Sequence, residues 1–377
     1  MKKSVIQKQN KGDYFLLIAV VLLSIIGTMF IYSASNYSAQ KTYNDKLYFV
    51  KKQVVGILIG TVAMILTAIC DYNKIKKFTP YLCVIAFVLL ILVFVPKIGV
   101  ENYGAKRWIG IGGITLQPSE IAKFSLILFC ATYVSKNPEK IKTFLGIIPV
   151  LIMGGATCTL IILEPNMSIT VCVALLMMTM LFCAGMKIRH FIYLIIPAVL
   201  GGVLLILAEP YRLNRLMAFI NPWSNPKGEG YQLLQSLYAL GSGGWFGVGL
   251  FNSRQKYSFL PFAESDFILS VIGEEIGFVG CFFVLLLFLV LVYQGIKISK
   301  NANTRFECYL SAGISSVIAI QTLLNIAVVT GTIPPTGLPL PFVSSGGSSL
   351  VVFMASVGTL LGIDKNSKKH QKSLSAI

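Results

Sequence analysis

Residues 264–295 read ESDFILSVIGEEIGFVGCFFVLLLFLVLVYQG, and the last twenty, Ile276 to Gly295, carry no charged side chain. About 20 apolar residues in a row is the length a helix needs to cross a bilayer, where every backbone group must be satisfied internally. Just ahead of that run stands Asp266, where an extracytoplasmic loop is expected to enter the helix. A charge near the hydrocarbon core costs about 2.5–3.5 kcal/mol on insertion scales, so an ionisable residue there is read as functional. At roughly 100° per residue, Ser270 lies about 40° around from Asp266 and Glu274 about 80° around, while Glu275 points the opposite way. Glu274 and Glu275, two turns deeper, suit structural hydrogen bonding.

Similar runs recur at 14–34, 53–70, 78–96, 117–135, 144–163, 167–185, 190–208, 307–332 and 345–363. The 377 residues are 55% hydrophobic and 12% charged, with mean hydropathy +0.76. Water-soluble domains carry about 25% charged residues. The sequence therefore predicts an all-α polytopic integral membrane protein: one domain over 1–377, a bundle of about ten transmembrane helices, a long extracytoplasmic loop between helices 7 and 8 (209–262), and a basic cytoplasmic tail (364–377).

The net charge of +17 forms no compact patch or nucleic-acid module, so it is read as topology. With the N-terminus inside, nineteen of the 32 Lys and Arg residues fall on the cytoplasmic side, beginning with Lys2, Lys3, Lys8 and Lys11. Seven lie in short outer connections, and five more in the long loop, which counts little toward orientation. Both termini are expected in the cytoplasm, and the first run is too long for a signal-peptide core. The eight cysteines sit in or beside apolar runs without CxxC spacing, which predicts neither a disulfide framework nor a zinc site. His190 and His370 fall on the cytoplasmic side, away from any outer site.

Two outer segments interrupt the pattern. Lys97 to Leu116 leads into Gln117-Pro118-Ser119-Glu120, and Pro118 suits a first helical turn. The 209–261 segment far exceeds ordinary loop lengths of roughly 4–6 residues. Within it, Leu233, Leu234, Leu237 and Leu240 share one face of an expected interfacial helix, 231–240.

Candidate site residues follow from spacing and charge. Gln117, Glu120 and Lys123 stand at i, i+3 and i+6 on one side of the fourth helix, where Glu120 and Lys123 can pair; the pair is either functional or a packing device. Lys106 and Arg107, with Arg212, Arg215, Arg254 and Lys256, are outer-face cations suited to a phosphate or pyrophosphate, or to lipid headgroups. Gly241 to Gly249 lacks a Walker lysine and a preceding strand, so backbone flexibility in a packed loop is its expected role. Ser344 to Ser349, including Ser348, opens the tenth helix, where free amides suit an anion and small residues suit close helix contact.

Together these segments resemble the SEDS family of shape, elongation, division and sporulation proteins, typified by FtsW, RodA and SpoVE. The resemblance rests on Gly104-Ala105-Lys106-Arg107-Trp108, Gln117-Pro118-Ser119-Glu120 with Lys123, Glu164-Pro165-Asn166, Asn221-Pro222-Trp223, Gly230-Tyr231-Gln232 with Gln235-Ser236, Ser265-Asp266-Phe267-Ile268 with Gly273-Glu274-Glu275, and Pro339-Leu340-Pro341-Phe342 with Gly346-Gly347-Ser348-Ser349. Asn-Pro-Trp and Ala184-Gly185-Met186-Lys187 are closer to the FtsW/SpoVE branch. Phe262, Ser265 and Ser345 depart from the family pattern, where Glu, Thr and Tyr are usual.

The resemblance implies a peptidoglycan glycosyltransferase of the bacterial cytoplasmic membrane that polymerises lipid II, with undecaprenyl pyrophosphate as leaving group. It also implies a class B penicillin-binding transpeptidase and divisome or spore-cortex proteins as partners, and Asp266 as the essential acid. Asp266 is then the expected general base. Arg107, Lys123 or a divalent cation (Mg or Mn) is expected to neutralise the pyrophosphate, with Lys106, Gln117, Glu120, Arg212, Arg215 and Ser348 as further substrate contacts. A lipid II flippase or transporter and a non-catalytic scaffold for the transpeptidase are the competing readings.

Overall fold

Long runs of Leu, Ile, Val and Phe with no water to bond leave the backbone one economical solution, the helix. In the computed structural model, which describes residues 12–102, 105–111, 114–257 and 259–375, the chain runs as α1 (Gly12–Tyr43), α2 (Tyr48–Ile69), α3 (Tyr72–Leu92), β1 (Gly99–Asn102), β2 (Ala105–Ile111), β3 (Ile114–Leu116), α4 (Pro118–Lys136), α5 (Phe144–Leu163), α6 (Met167–Cys183), α7 (Ile188–Leu207), α8 (Pro210–Ile220), α9 (Tyr231–Gly243), α10 (Ile268–Lys300), α11 (Arg305–Val329) and α12 (Gly347–Ser375). Lys2, Lys3, Lys8, Lys11 and Gly104, together with the tail end 376–377, lie outside the described residues.

The expected spans map onto α1–α7 and α10–α12. Seven of these, α1, α2, α3, α5, α10, α11 and α12, contain stretches long and apolar enough to cross a membrane, while α6 and α7 are apolar but shorter. Glu120 and Lys123 dilute the apolar character of α4. This is a multi-pass membrane protein. Polar caps set several helix starts: Asp71 accepts from Asn73 N (2.9 Å), Asn166 from Ile169 N (3.3 Å), and Thr304 and Glu307 form a reciprocal capping box on α11.

Small residues let helices approach closely. Gly56 and Gly60 of α2 face α12, whose Gly358 and Gly362 face back. A Cβ on Gly60 would lie 2.5 Å from Met354 Sδ, and one on Gly358 2.1 Å from Met64 O. Such four-residue spacing of glycines is the membrane's substitute for a hydrophobic driving force. Thr67 Oγ1 (to Ala355 O, 2.7 Å) and Tyr72 Oη (to Thr359 O, 3.0 Å) donate across the same seam.

Three features depart from the sequence expectation. First, the all-α reading misses a three-stranded antiparallel sheet, β1-β2-β3, between α3 and α4, with Val100 opposite Trp108 and Ile109 opposite Leu116. The alternation of Arg107-Trp108-Ile109-Gly110-Ile111 fits a strand half-buried on one face, Ile109 being enclosed.

Second, α9 runs three residues past the expected 231–240 and docks one face on the bundle. It buries Leu233, Leu234, Ser236, Ala239 and Gly243, and Ser236 Oγ bonds both Ser270 Oγ (2.8 Å) and Val329 O (2.8 Å) on α10 and α11. Its small residues allow that docking.

Third, α10 starts at Ile268, after the expected 264, and breaks at Gly277 (φ +68°). The azimuths reckoned from Asp266 therefore do not apply. Backbone freed by the break is satisfied by the glycine loop: Val248 N and Gly249 N donate to Glu274 O and Glu275 O (2.9 and 3.0 Å), and Phe278 N donates to Gly244 O (2.9 Å). Broken helices are tolerated at membrane depth where protein supplies such partners.

Candidate active site

Arg107 projects from β2 to the turn between α5 and α6. Its Nε donates to Glu164 O (3.3 Å) and its Nη2 to Pro165 O (2.5 Å). The carbonyls that end a helix carry partial negative charge, so the C-terminus of α5 is a natural seat for a guanidinium.

Asp266 lies two residues before α10, in a turn where Ser265 N and Phe267 N both donate to Phe262 O. Asn325 of α11 pins that turn, its Nδ2 donating to Asp266 O (2.9 Å) and Leu338 O (2.7 Å). Ser344 Oγ donates to Ser265 O (2.6 Å) and Ser345 N to Glu264 O (2.9 Å), tying the 333–346 segment alongside.

The half-buried Asp266 carboxylate accepts from Ser265 Oγ (2.9 Å). Gly337 faces it so closely that a Cβ there would sit 3.0 Å from Oδ2. Gly337 N in turn donates to Ser168 Oγ (3.2 Å) at the start of α6. Burial lifts the Asp266 pKa to about 6, opposed by the Ser265 hydroxyl and the positive field of Arg107. Glu264 is also raised, first by burial and then by repulsion from Asp266. A carboxylate poised near 6 is ionised at neutral pH yet basic enough to take a proton.

A second cluster lies behind the first. Lys123 Nζ pairs with Glu120 Oε1 (2.9 Å) with both side chains fully enclosed, and it donates to Gln321 Oε1 (2.5 Å). Gln321 Nε2 reaches Pro339 O (2.8 Å), while Ser349 Oγ donates to Glu120 Oε2 (3.1 Å). Ser348 Oγ accepts from Gln117 N (3.2 Å), joining the first turns of α4 and α12. Gln321 and Asn325, one turn apart on α11, thus hold consecutive carbonyls of the 338–339 backbone, and through it they connect the Lys123 pair to the turn of Asp266.

The expected residues do not all converge. Arg107 and Asp266 share one site, and Gln117, Glu120, Lys123 and Ser348 form the adjoining cluster. Lys106 is exposed on β2. Arg212 and Arg215 ride on α8, which packs on α7, and Arg215 lies 3.7 Å from Glu229. Lys256 is buried within a structural network, not set to meet a phosphate: its Nζ bonds Ser33 Oγ (3.2 Å) and Glu275 Oε1 (3.3 Å). Glu274 and Glu275 bind backbone amides of Arg254 (2.9 Å) and Phe251 (2.9 Å), which fastens the loop to α1 and α10. Sequence reasoning missed Gln321, Asn325, Gly337 and Ser168; the amide pair at i, i+4 on α11 was the one available signal.

Residues 14–369 match the FtsW/RodA/SpoVE family, described as cell cycle proteins. The chain belongs to this family. It is 40% identical over 362 residues to Stage V sporulation protein E of Bacillus subtilis (strain 168), covering 96% of this chain and 99% of that one. It is 39% identical over 352 residues to the probable peptidoglycan glycosyltransferase FtsW of Geobacter sp. (strain M18), covering 93% and 96%. Its fold matches a chain of a solved peptidoglycan synthase complex (TM-score 0.78, 24% identity, covering 94% and 98%) and Thermus thermophilus RodA (TM-score 0.69, 23% identity, covering 93% and 96%).

Proposed function

We propose that this FtsW/RodA/SpoVE member is a peptidoglycan glycosyltransferase that polymerises lipid II at the outer face of the bacterial cytoplasmic membrane, both termini lying in the cytoplasm. The observation that carries the reading is the half-buried Asp266 carboxylate, set between Gly337 and the Ser265 hydroxyl in the field of Arg107.

In the reaction, the 4-hydroxyl of the acceptor sugar attacks the anomeric carbon of the donor. The new glycosidic bond forms as the bond to undecaprenyl pyrophosphate breaks with inversion, and the hydroxyl proton passes to Asp266. General-base assistance is worth roughly 10²- to 10⁴-fold. Negative charge grows on the departing pyrophosphate, which Arg107 would stabilise; the charge of Lys106, Arg212 and Arg215 suits the lipid-linked phosphates, or membrane lipid headgroups. Gln117, Glu120, Lys123 and Ser348 brace the 338–339 backbone and the start of α12 from the adjoining cluster.

The residues present do not form a protein cage for Mg or Mn: among the described residues no three His, Cys, Asp or Glu side chains are grouped to hold one. A class B penicillin-binding transpeptidase is the expected partner, consistent with the fold shared with the synthase complex, and divisome or spore-cortex proteins complete the assembly.

The test is purified protein with labelled lipid II. The parent should yield glycan polymer, and Asp266→Asn should lose at least 100-fold in rate while retaining its fold. Translocation without polymer would indicate a flippase, and full polymerisation by Asp266→Asn would refute the role of Asp266.

A further inference from the structure

The side chain of Glu164 is wholly enclosed, and neither carboxyl oxygen has a hydrogen-bond partner among the described residues. An ionised carboxylate offers about four lone-pair sites and is acceptor-only. Stranding one in protein without donors is strongly unfavourable. Glu164 also caps the C-terminal end of α5, where the helix carbonyls already concentrate negative charge. Geometry thus disfavours the anion on three counts: enclosure, the absence of donors among the described residues, and the helix dipole.

The charged group acting on Glu164 is Arg107 of β2, whose bonds reach the Glu164 and Pro165 carbonyls. The same guanidinium acts on Asp266, which in turn acts on Glu264. The titratable groups of α5 and α6 are thiols, Cys158, Cys172 and Cys183, and the 333–346 segment has none. The attraction of Arg107 is outweighed by burial, which lifts the Glu164 pKa to about 8.

We propose that Glu164 is a positioning residue that works as a neutral acid, packing the end of α5 on which Arg107 rests without adding a negative charge beside it, and that its ionisation weakens the site at alkaline pH. An anionic Glu164 would oppose the positive field that Asp266 and a pyrophosphate both feel, and would draw the guanidinium toward α5. The inference rests on the reading of Arg107 and Asp266 given under Proposed function.

The experiment compares polymerisation of lipid II above pH of about 8 with that at neutral pH. The ratio should fall several-fold in the parent and stay flat in Glu164→Gln, while Glu164→Ala should lower both rates by one common factor. In parallel, infrared spectra should show a protonated-carboxyl band at neutral pH that disappears on alkaline titration and is missing from Glu164→Gln. A Glu164→Gln ratio that falls like that of the parent, or a spectrum with no such band, overturns the inference. If Glu164→Gln does not fold, the titration of the parent band decides. Polymerisation by Asp266→Asn would instead sink the underlying reading, and the infrared result would still report the state of Glu164.

Discussion

Asp266, the proposed base, sits in a turn that stops short of the helix: held outside α10, its carboxyl meets Ser265, Gly337 and the field of Arg107. Gly337→Ala introduces a Cβ 3.0 Å from Oδ2, so the carboxylate must move; kcat should fall about tenfold with little change in KM, since small displacements of a catalytic group are expensive. Asn325→Ala should act similarly by releasing the Asp266 and Leu338 carbonyls.

The linkage signs are the same for both raised acids. Asp266 rises from 3.8 to about 6 and Glu164 from 4.5 to about 8 in the fold, so between those values the unfolded chain has lost a proton the folded one keeps. Stability therefore falls as pH rises through each window. Asp266→Asn should raise Tm at neutral pH by the equivalent of roughly 1–3 kcal/mol, a gain visible in thermal melts that vanishes below the lower end of the window.

At the scale of elements, apolar length made the long helices legible because the bilayer fixes what length means. The sheet carrying Arg107 escaped notice because its longest strand has seven residues and glycines at its ends, which reads as loop. The 241–249 glycines were legible as backbone flexibility. Their purpose was not, since the break in α10 that they repair depends on two segments 30 residues apart. A Cβ on Gly277 would lie 2.5 Å from both Gly247 N and Trp245 O, at a positive φ. Gly277→Ala should therefore destabilise by about 3 kcal/mol or more, measured as a lower melting temperature in detergent. Gly155→Ala, with open space around it, is the matched control.

Across the whole molecule, one polar thread runs from the Glu120–Lys123 pair through Gln321 and the 338–339 backbone to the turn of Asp266. Pairing of Glu120 with Lys123 was readable from i, i+3 spacing. Their separation from Asp266 by α11 was not, because amides in an apolar helix carry no sequence label for what they hold. Lys123→Met alone leaves an enclosed carboxylate and should cost about 3–5 kcal/mol, whereas Glu120→Gln with Lys123→Met should recover most of it; a thermal double-mutant cycle checks this.

The pH dependence of polymerisation at saturating lipid II decides whether Asp266 is the base. Loss of rate below pH of about 6 in the parent, with Asp266→Asn slower by at least about 100-fold throughout, is the expected result. A parent profile flat across that value, matched by an equally fast Asp266→Asn, would contradict Asp266 as the base.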